Sequence, residues 1–389
     1  MAIFKSLSNE DIKRSRSFLN QLVDVVDQDI SESTTRKKYQ VFVTGGVGPG
    51  VTSSLWQTVF DQDFTLQTAN PILDLTVGVS TGSQIMSITN ASIDSNGKYL
   101  FPQSSLMMRE KLDLYRTFAQ KLLGSEDQIF TMRSGSSTFE IHEAMFVCFK
   151  RLFARDGMKR ETFAMRVFPT ASKLAGANML SPVSGGSPTK IYSDIGSSQN
   201  KEYEFGGQVS TIVDSADTSQ MVGLLFLDQG IAVFDVSRSF DMQQSISGSI
   251  DAVNVAGVVP NFSSSMIYFL ASASIDDIVD HFAFTRFASG STAQTAMTFQ
   301  NVTEINTTNV FVRLGADEFN YSSNPTYTDE NNRIVVIDEG QEETQQSFVF
   351  FTTVGLYDAN NNLLAVGKTS RPILKDNERD VTLKLRLDY

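Results

Sequence analysis

From about residue 161 onward, apolar and polar positions alternate in short runs separated by turn-forming residues, a pattern that predicts β-strands. The plainest run is 380–389. Val381, Leu383, Leu385 and Leu387 fall on one face of it, and Thr382, Lys384, Arg386 and Asp388 on the other. Before it, two strand-like segments flank Asp358-Ala359-Asn360-Asn361-Asn362. Asp and Asn tolerate left-handed backbone, so 347–368 reads as a β-hairpin. Sequential strands usually neighbour one another, which predicts that the last strand pairs with this hairpin. Residues 222–227 and 230–236, joined through Asp228-Gln229, form a second expected hairpin. Further strands are expected at 39–44, 163–169, 264–270, 309–314 and 333–337, with a turn at Asp94-Ser95-Asn96-Gly97-Lys98.

Helical spacing occurs in three places. In 8–30, Ile12, Phe18, Leu19, Leu22, Val25 and Val26 make a stripe behind the capping run Ser8-Asn9-Glu10-Asp11. In 104–124 the stripe is Leu106, Leu112, Leu114, Phe118, Leu122 and Leu123. In 137–154 it is Ile141, Met145, Cys148, Phe149 and Leu152, ended by Gly157. The expected fold is therefore α+β and mainly β. It would have antiparallel sandwich-like β domains, an N-terminal helix and a helical pair near 104–154. The expected division is a helical arm and linker at 1–35, a mixed α/β domain at 36–220 and a β-rich domain at 221–389. Residues 171–200, rich in Ser, Gly, Ala and Asn, read as an exposed excursion.

Composition narrows the function classes. The chain has 389 residues, enough for a large core and more than one domain. With 41% hydrophobic and 20% charged residues it has the composition of a soluble globular protein, and no run approaches a bilayer span. The first residues lack an apolar core followed by a small-residue cleavage site, so a secretory signal is not expected. A net charge of −12 disfavours binding driven by phosphate neutralisation. Three basic clusters, Lys13-Arg14-Ser15-Arg16, Arg36-Lys37-Lys38 and the run from Lys150 to Arg155, read as solvated charge. One cysteine and two histidines leave too few soft ligands for a closed zinc site.

The candidate chemistry is thin. Gly45-Gly46-Val47-Gly48-Pro49-Gly50-Val51-Thr52 has the glycine spacing of a phosphate-binding loop, but Val51 stands where that loop needs its lysine. A flexible glycine loop is the expectation. His142, Glu143 and Cys148 are close in sequence. On a helix His142 and Cys148 would be about 240° apart, so a core cysteine and an incidental histidine are expected. Asp276, Asp277, Asp280 and His281 lack a nearby nucleophile or oxyanion loop and read as surface pairs. Glu339-Gly340-Gln341-Glu342-Glu343 and Asp329-Glu330-Asn331-Asn332 read as solvated turns without calcium-loop spacing. No catalytic, cofactor or metal residue is expected.

Three stretches carry a resemblance. One is Thr352-Thr353-Val354-Gly355-Leu356-Tyr357-Asp358, continuing through Asn362-Leu363-Leu364-Ala365-Val366-Gly367-Lys368 and Arg371-Pro372-Ile373 to Leu385-Arg386-Leu387-Asp388-Tyr389. The second runs from Ser53 to Pro71 and includes Trp56 and Asn70. The third runs from Ala316 to Thr326 and includes Phe319 and Tyr321. Together they resemble virion structural proteins of contractile-tailed bacteriophages, notably those of marine bacteria. Residues 80–300 carry no such likeness. The resemblance implies a non-enzymatic virion component of the tail or baseplate, or of the neck. It would be made in the host cytoplasm and held in the particle as a homo-oligomer or symmetric multi-copy assembly by contacts with other virion proteins. No direct nucleic-acid or membrane contact is implied. A receptor- or glycan-binding tail module is the alternative, and a tail-associated enzyme the third class.

Overall fold

The computed structural model describes residues 4–27, 40–46, 54–60, 68, 70–90, 92–93, 99–134, 137–167, 189–240, 244–245, 261–262, 294–322, 324–331 and 333–389, with isolated positions between 270 and 282. The fold is α+β and mainly β, and the strand pairs whose register is described are antiparallel. The chain forms two compact units. One joins the segment ending at Leu19 to Glu304–Tyr389; the other is Asn20–Thr303. These boundaries do not fall at 35/36 and 220/221, because the two ends of the chain pair with each other. The Ile12–Asp27 strand is hydrogen-bonded to the Gln294–Leu314 strand.

In the Asn20–Thr303 unit the sheet is read outward from its centre. Ile231–Asp235 pairs with Glu143–Phe149 on one side and with Asp217–Phe226 on the other. Beyond Glu143–Phe149 lie Pro71–Val79, Ser54–Phe60 and Gln40–Gly46. Beyond Asp217–Phe226 lie Gly207–Asp214, Lys190–Ser193 and Ala164–Val167.

The central strands are apolar on both faces. Met145, Val147 and Phe149 enter one core together with Ala232 and Phe234. Ala144 and Phe146 enter a second core together with Ile231 and Val233. Helix Leu106–Leu122 and the Phe130–Ser134/Ser137–Ile141 hairpin supply Tyr115, Ala119, Leu122, Phe130, Met132 and Ile141 to the second core. Ile85, Leu270, Ile275, Ile278 and Phe282 belong to the first. The sheet is therefore a middle layer covered on both faces.

The expected helix at 104–124 is present as Leu106–Leu122, capped by the Ser105 hydroxyl, which accepts from Met108 N at 3.3 Å. Gly124, at φ 88°, follows its end. Its buried stripe is Met108, Lys111, Tyr115, Ala119 and Leu122, whereas Leu106 is exposed.

Two expected helices are not formed. Residues 12–27 are a strand: pairing with Gln294–Leu314 satisfies the backbone, and Phe18, Leu19 and Leu22 of the expected helical stripe are each 59% exposed. Residues 137–154 divide into a hairpin strand, the central strand Glu143–Phe149 and a single helical turn, Arg151–Ala154. A run apolar on both faces has no period that separates strand from helix.

Several turns match their chemistry. Phe226 and Ile231 close a hairpin with Gly230 at φ 62°. Ser92–Ile93 and Tyr99–Leu100 pair across the turn expected at 94–98. The 39–44 and 163–169 strands appear as Gln40–Gly46 and Ala164–Val167. Residues 264–269 lie outside the described residues, while Leu270 and Ala271 are helical. Residues 333–337 are not a strand; only an isolated bridge joins Thr328 to Ile334.

The other unit is a small sandwich. Val349–Tyr357 and Leu363–Lys375 form the expected hairpin, with Asn361 left-handed at φ 63° in its turn. Val381–Asp388 alternates half-buried and exposed positions, as its pattern predicts. It does not pair with the hairpin. It pairs with Thr307–Leu314, Val312 opposite Leu383 and Val310 opposite Leu385. The hairpin packs face to face on that sheet through Phe351, Val354 and Leu356. A strand with one apolar face stabilises a stacked sheet more than an edge extension would. Lys5 ion-pairs with Glu318, and the Phe4 ring meets Tyr357 edge-on at 5.5 Å.

Gly223 sits where the Asp217–Phe226 and Ile231–Asp235 strands meet. A Cβ there would lie 2.3 Å from the Val233 carbonyl oxygen, a backbone atom that cannot step aside. Gly223→Ala is expected to cost at least ~2 kcal/mol in urea unfolding followed by circular dichroism. Thr382→Ala, on an exposed position of the last strand, is expected to change stability by less than ~0.5 kcal/mol.

Candidate functional site

A polar cluster lies where the Pro71–Val79 strand ends beside the start of Glu143–Phe149. Ser80 Oγ is 2.9 Å from His142 Nδ1, and Ser80 N donates to the His142 carbonyl at 2.8 Å. His142 Nε2 is 3.3 Å from Glu140 Oε2. The Ser83 hydroxyl donates to the buried Glu143 carboxyl. Tyr115 OH donates to the Ile141 carbonyl at 2.6 Å and accepts from Phe130 N at 3.1 Å. Gly82 makes room for the imidazole, since a Cβ there would lie 2.8 Å from Cε1.

Serine, histidine and glutamate thus stand in line, but the arrangement does not make a nucleophile. Ser80 is 2% exposed, so a substrate has no access to its hydroxyl. Its own N–H is spent on the His142 carbonyl. The cluster fastens the loop after Pro71–Val79 to the turn entering the central strand.

Burial sets the protonation of its neighbours. It raises the pKa of Glu143 above the usual carboxylate range, the Ser83 hydrogen bond partly offsets it, and the nearby Asp235 charge adds to the rise. Burial also raises Asp235, although Ser237 Oγ and N donate to it at 2.6 and 2.9 Å. Tyr115 is raised by the same cause. Burial pushes the Cys148 thiol up to about 12, which leaves it an unreactive core side chain beside the second core.

Of the positions singled out in the sequence, His142 and Glu143 are brought together with Ser80, Ser83 and Glu140, while Cys148 lies further along the strand. Gly45 and Gly46 end the Gln40–Gly46 strand; 47–52, Asp276, Asp277, Asp280 and His281 lie outside the described residues. In the 329–343 segment, Asp329 Oδ1 accepts from Asn331 N and Arg333 N, and Arg333 Nε is 3.2 Å from Glu342. Those carboxylates hold a loop together. Lys150 pairs with Asp74 and Arg151 with Asp156, while 36–38 lie outside the described residues. Among the described residues no group of three His, Cys, Asp or Glu is arranged to hold a metal ion. No helix there is long and apolar enough to cross a membrane.

A second feature belongs to the unit that contains the C-terminus. Gln346, Phe348, Phe350, Leu374, Asp376 and Glu378 line an open groove of about 380 Å³. Phe350 stands opposite Leu374 in the hairpin register, and the Phe348 and Phe350 rings meet edge-on at 5.9 Å. Sequence reasoning missed both features. The i, i+2 phenylalanines were visible, but the carboxylates that rim them come from the far end of the hairpin. Ser80 and His142 are 62 residues apart.

The two units define the chain as a mainly β, antiparallel α+β protein. Searches among known family profiles, characterised proteins and solved structures find no match to it.

Glu143 gives a pH test. Its folded pKa is raised, so its contribution to stability is complete below the unfolded value and is lost as pH rises through the folded one. Glu143→Gln keeps an acceptor for Ser83 and removes the titration. Its melting temperature relative to the native chain is expected to climb as pH rises above the usual glutamate value of about 4.3. A difference that does not change with pH would show that Glu143 is not protonation-sensitive.

Proposed function

We propose that the chain is a non-enzymatic structural component of a contractile-tailed phage virion. It is built into the tail or baseplate, with the neck as the second position, through contacts with other copies and other virion proteins. The resemblance of 53–71, 316–326 and the C-terminal run names the class. The observation that carries the reading is the apolar outer surface of the hairpin. Phe350, Leu364 and Val366 are 59%, 67% and 52% exposed, and Tyr357 and Leu363 are exposed with them. Several large apolar side chains exposed along one hairpin are characteristic of surfaces that a partner covers. The 16-residue strand Ile12–Asp27 adds an outermost position in the sheet order, a template for pairing that a free-standing protein blunts. The burial of Ser80 beside His142 supports the non-enzymatic part.

The receptor- or glycan-binding alternative draws on the groove at Phe348 and Phe350, since aromatic faces beside carboxylates also suit a sugar. Mass spectrometry and immunogold labelling of washed virions separate the two. Many copies along the tail, baseplate or neck are expected from an assembly component, and labelling confined to a distal tip from a receptor-binding one. Absence of the chain from washed particles would refute both.

A further inference from the structure

We propose that the groove at Phe348, Phe350 and Leu374 is the docking site for the Arg14-Ser15-Arg16-Ser17-Phe18 segment of a second copy of this chain. The inference rests on the reading of the protein as a multi-copy component and names the surface that joins the copies.

The two surfaces match in chemistry. By strand alternation Arg14, Arg16 and Phe18 share one face of Ile12–Asp27. The Arg16 guanidinium lies 5.6 Å from the Phe18 ring centroid, and Phe18 remains largely exposed. Arg16 pairs with Glu304, whereas Arg14 is exposed and forms no ion pair among the described residues. The result is a basic–aromatic stripe on an outermost strand.

The groove offers the counterpart. Its apolar floor is Phe348, Phe350 and Leu374, and its rim carries Asp376 and Glu378. Asp376 is engaged locally: its Oδ1 accepts from Glu378 N at 3.2 Å and its Oδ2 is 3.7 Å from Arg379 Nε. Glu378 is exposed and forms no ion pair among the described residues. The two rim carboxylates and the two guanidinium groups are each two residues apart. Phe18 fills the groove beside Phe350, and Arg14, roughly 13 Å along the strand from it, faces Glu378 on the rim.

Charge selects this contact. At −12 net, two copies repel in most orientations, so a basic stripe meeting an acidic rim fixes the one that binds. The stripe and the groove are different patches, so the contact is heterologous. It propagates from copy to copy and closes into a ring when the rotation permits.

Sedimentation velocity of the full chain at several concentrations tests it, with the Arg14→Glu and Glu378→Lys variants checked for unchanged melting. The native chain is expected to associate, and less so as salt rises. Each variant alone is expected to need at least about tenfold more protein for the same association. Mixing the two variants is expected to restore association, because the native stripe of one meets the native groove of the other. Phe350→Ala is expected to weaken association without any charge change. Association that persists in every variant would overturn the groove assignment and leave the multi-copy reading standing. A native chain that stays monomeric yet is found in many copies in virions would overturn the self-docking alone. Absence from virions as well would overturn both. Loss of glycan-array binding in Phe350→Ala, with association untouched, would assign the groove to a sugar instead.

Discussion

The larger unit depends on the pairing of Ile231–Asp235 with Glu143–Phe149. Five consecutive residues of the first strand are buried, and its side chains go alternately into two separate cores. Two-sided burial of this kind removes more apolar surface per residue than any edge position can. It also dictates the polar chemistry nearby. Asp235 ends its strand opposite Ala144, next to Glu143, so two carboxylates are placed in a region of low polarity. Each is tolerated because it is hydrogen-bonded, Glu143 by Ser83 and Asp235 by the Ser237 amide and hydroxyl. The polar cluster at Ser80 and His142 is a consequence of ending two core strands at the same place, and the burial of Ser80, Ser83 and Glu143 within it follows from the same packing.

The smaller unit is built on a different principle. Among the described residues, Val310, Val312 and Leu314 are the buried members of its apolar core; the residues packed on them are half-exposed. Its strands come from both ends of the chain, so it forms only after contacts of long sequence separation are made. Polar anchors supplement the thin core. Lys375 is fully buried, and its ammonium donates to the Ala316 carbonyl, Asn320 Oδ1 and the Asp376 carbonyl. That lysine ties the 315–320 turn to the end of the hairpin whose next residues form the rim of the groove.

Elements whose signal is local were legible. The 381–388 alternation, the Asp/Asn turn at 358–362, the Gly230 hairpin and helix Leu106–Leu122 are each written within about twenty residues. Elements decided by a distant partner were not. Residues 12–27 carry a passable helical stripe, and only the pairing with Gln294–Leu314 makes them a strand. Residues 143–149 are apolar at every position but the first, so their period says nothing, and their place between two other strands decides. The partner of the last strand was misjudged for the same reason: proximity in sequence favoured the hairpin, while the three-residue core needed a second layer. On a helix the spacing of His142 and Cys148 suggested a core cysteine and an incidental histidine. The chain instead puts His142 against Ser80, a contact that no local spacing contains.

The contrast between the units bears on how an assembly component would use them. A core of two full layers holds its shape without help, whereas a unit with three buried apolar side chains among its described residues has much to gain from a partner that covers the half-exposed ones. Burying Phe350 together with a neighbour's Phe18 would desolvate two large rings at once, each worth on the order of 1.5–3 kcal/mol when fully buried. Ordering losses and the overall cost of association take back much of that, so a single contact of this size is weak. Repetition changes the balance. In a closed ring each copy is held by two neighbours, and the last contact forms within a body already assembled. A weak, charge-selected contact then forms only in the correct orientation during assembly and becomes durable once the ring is closed.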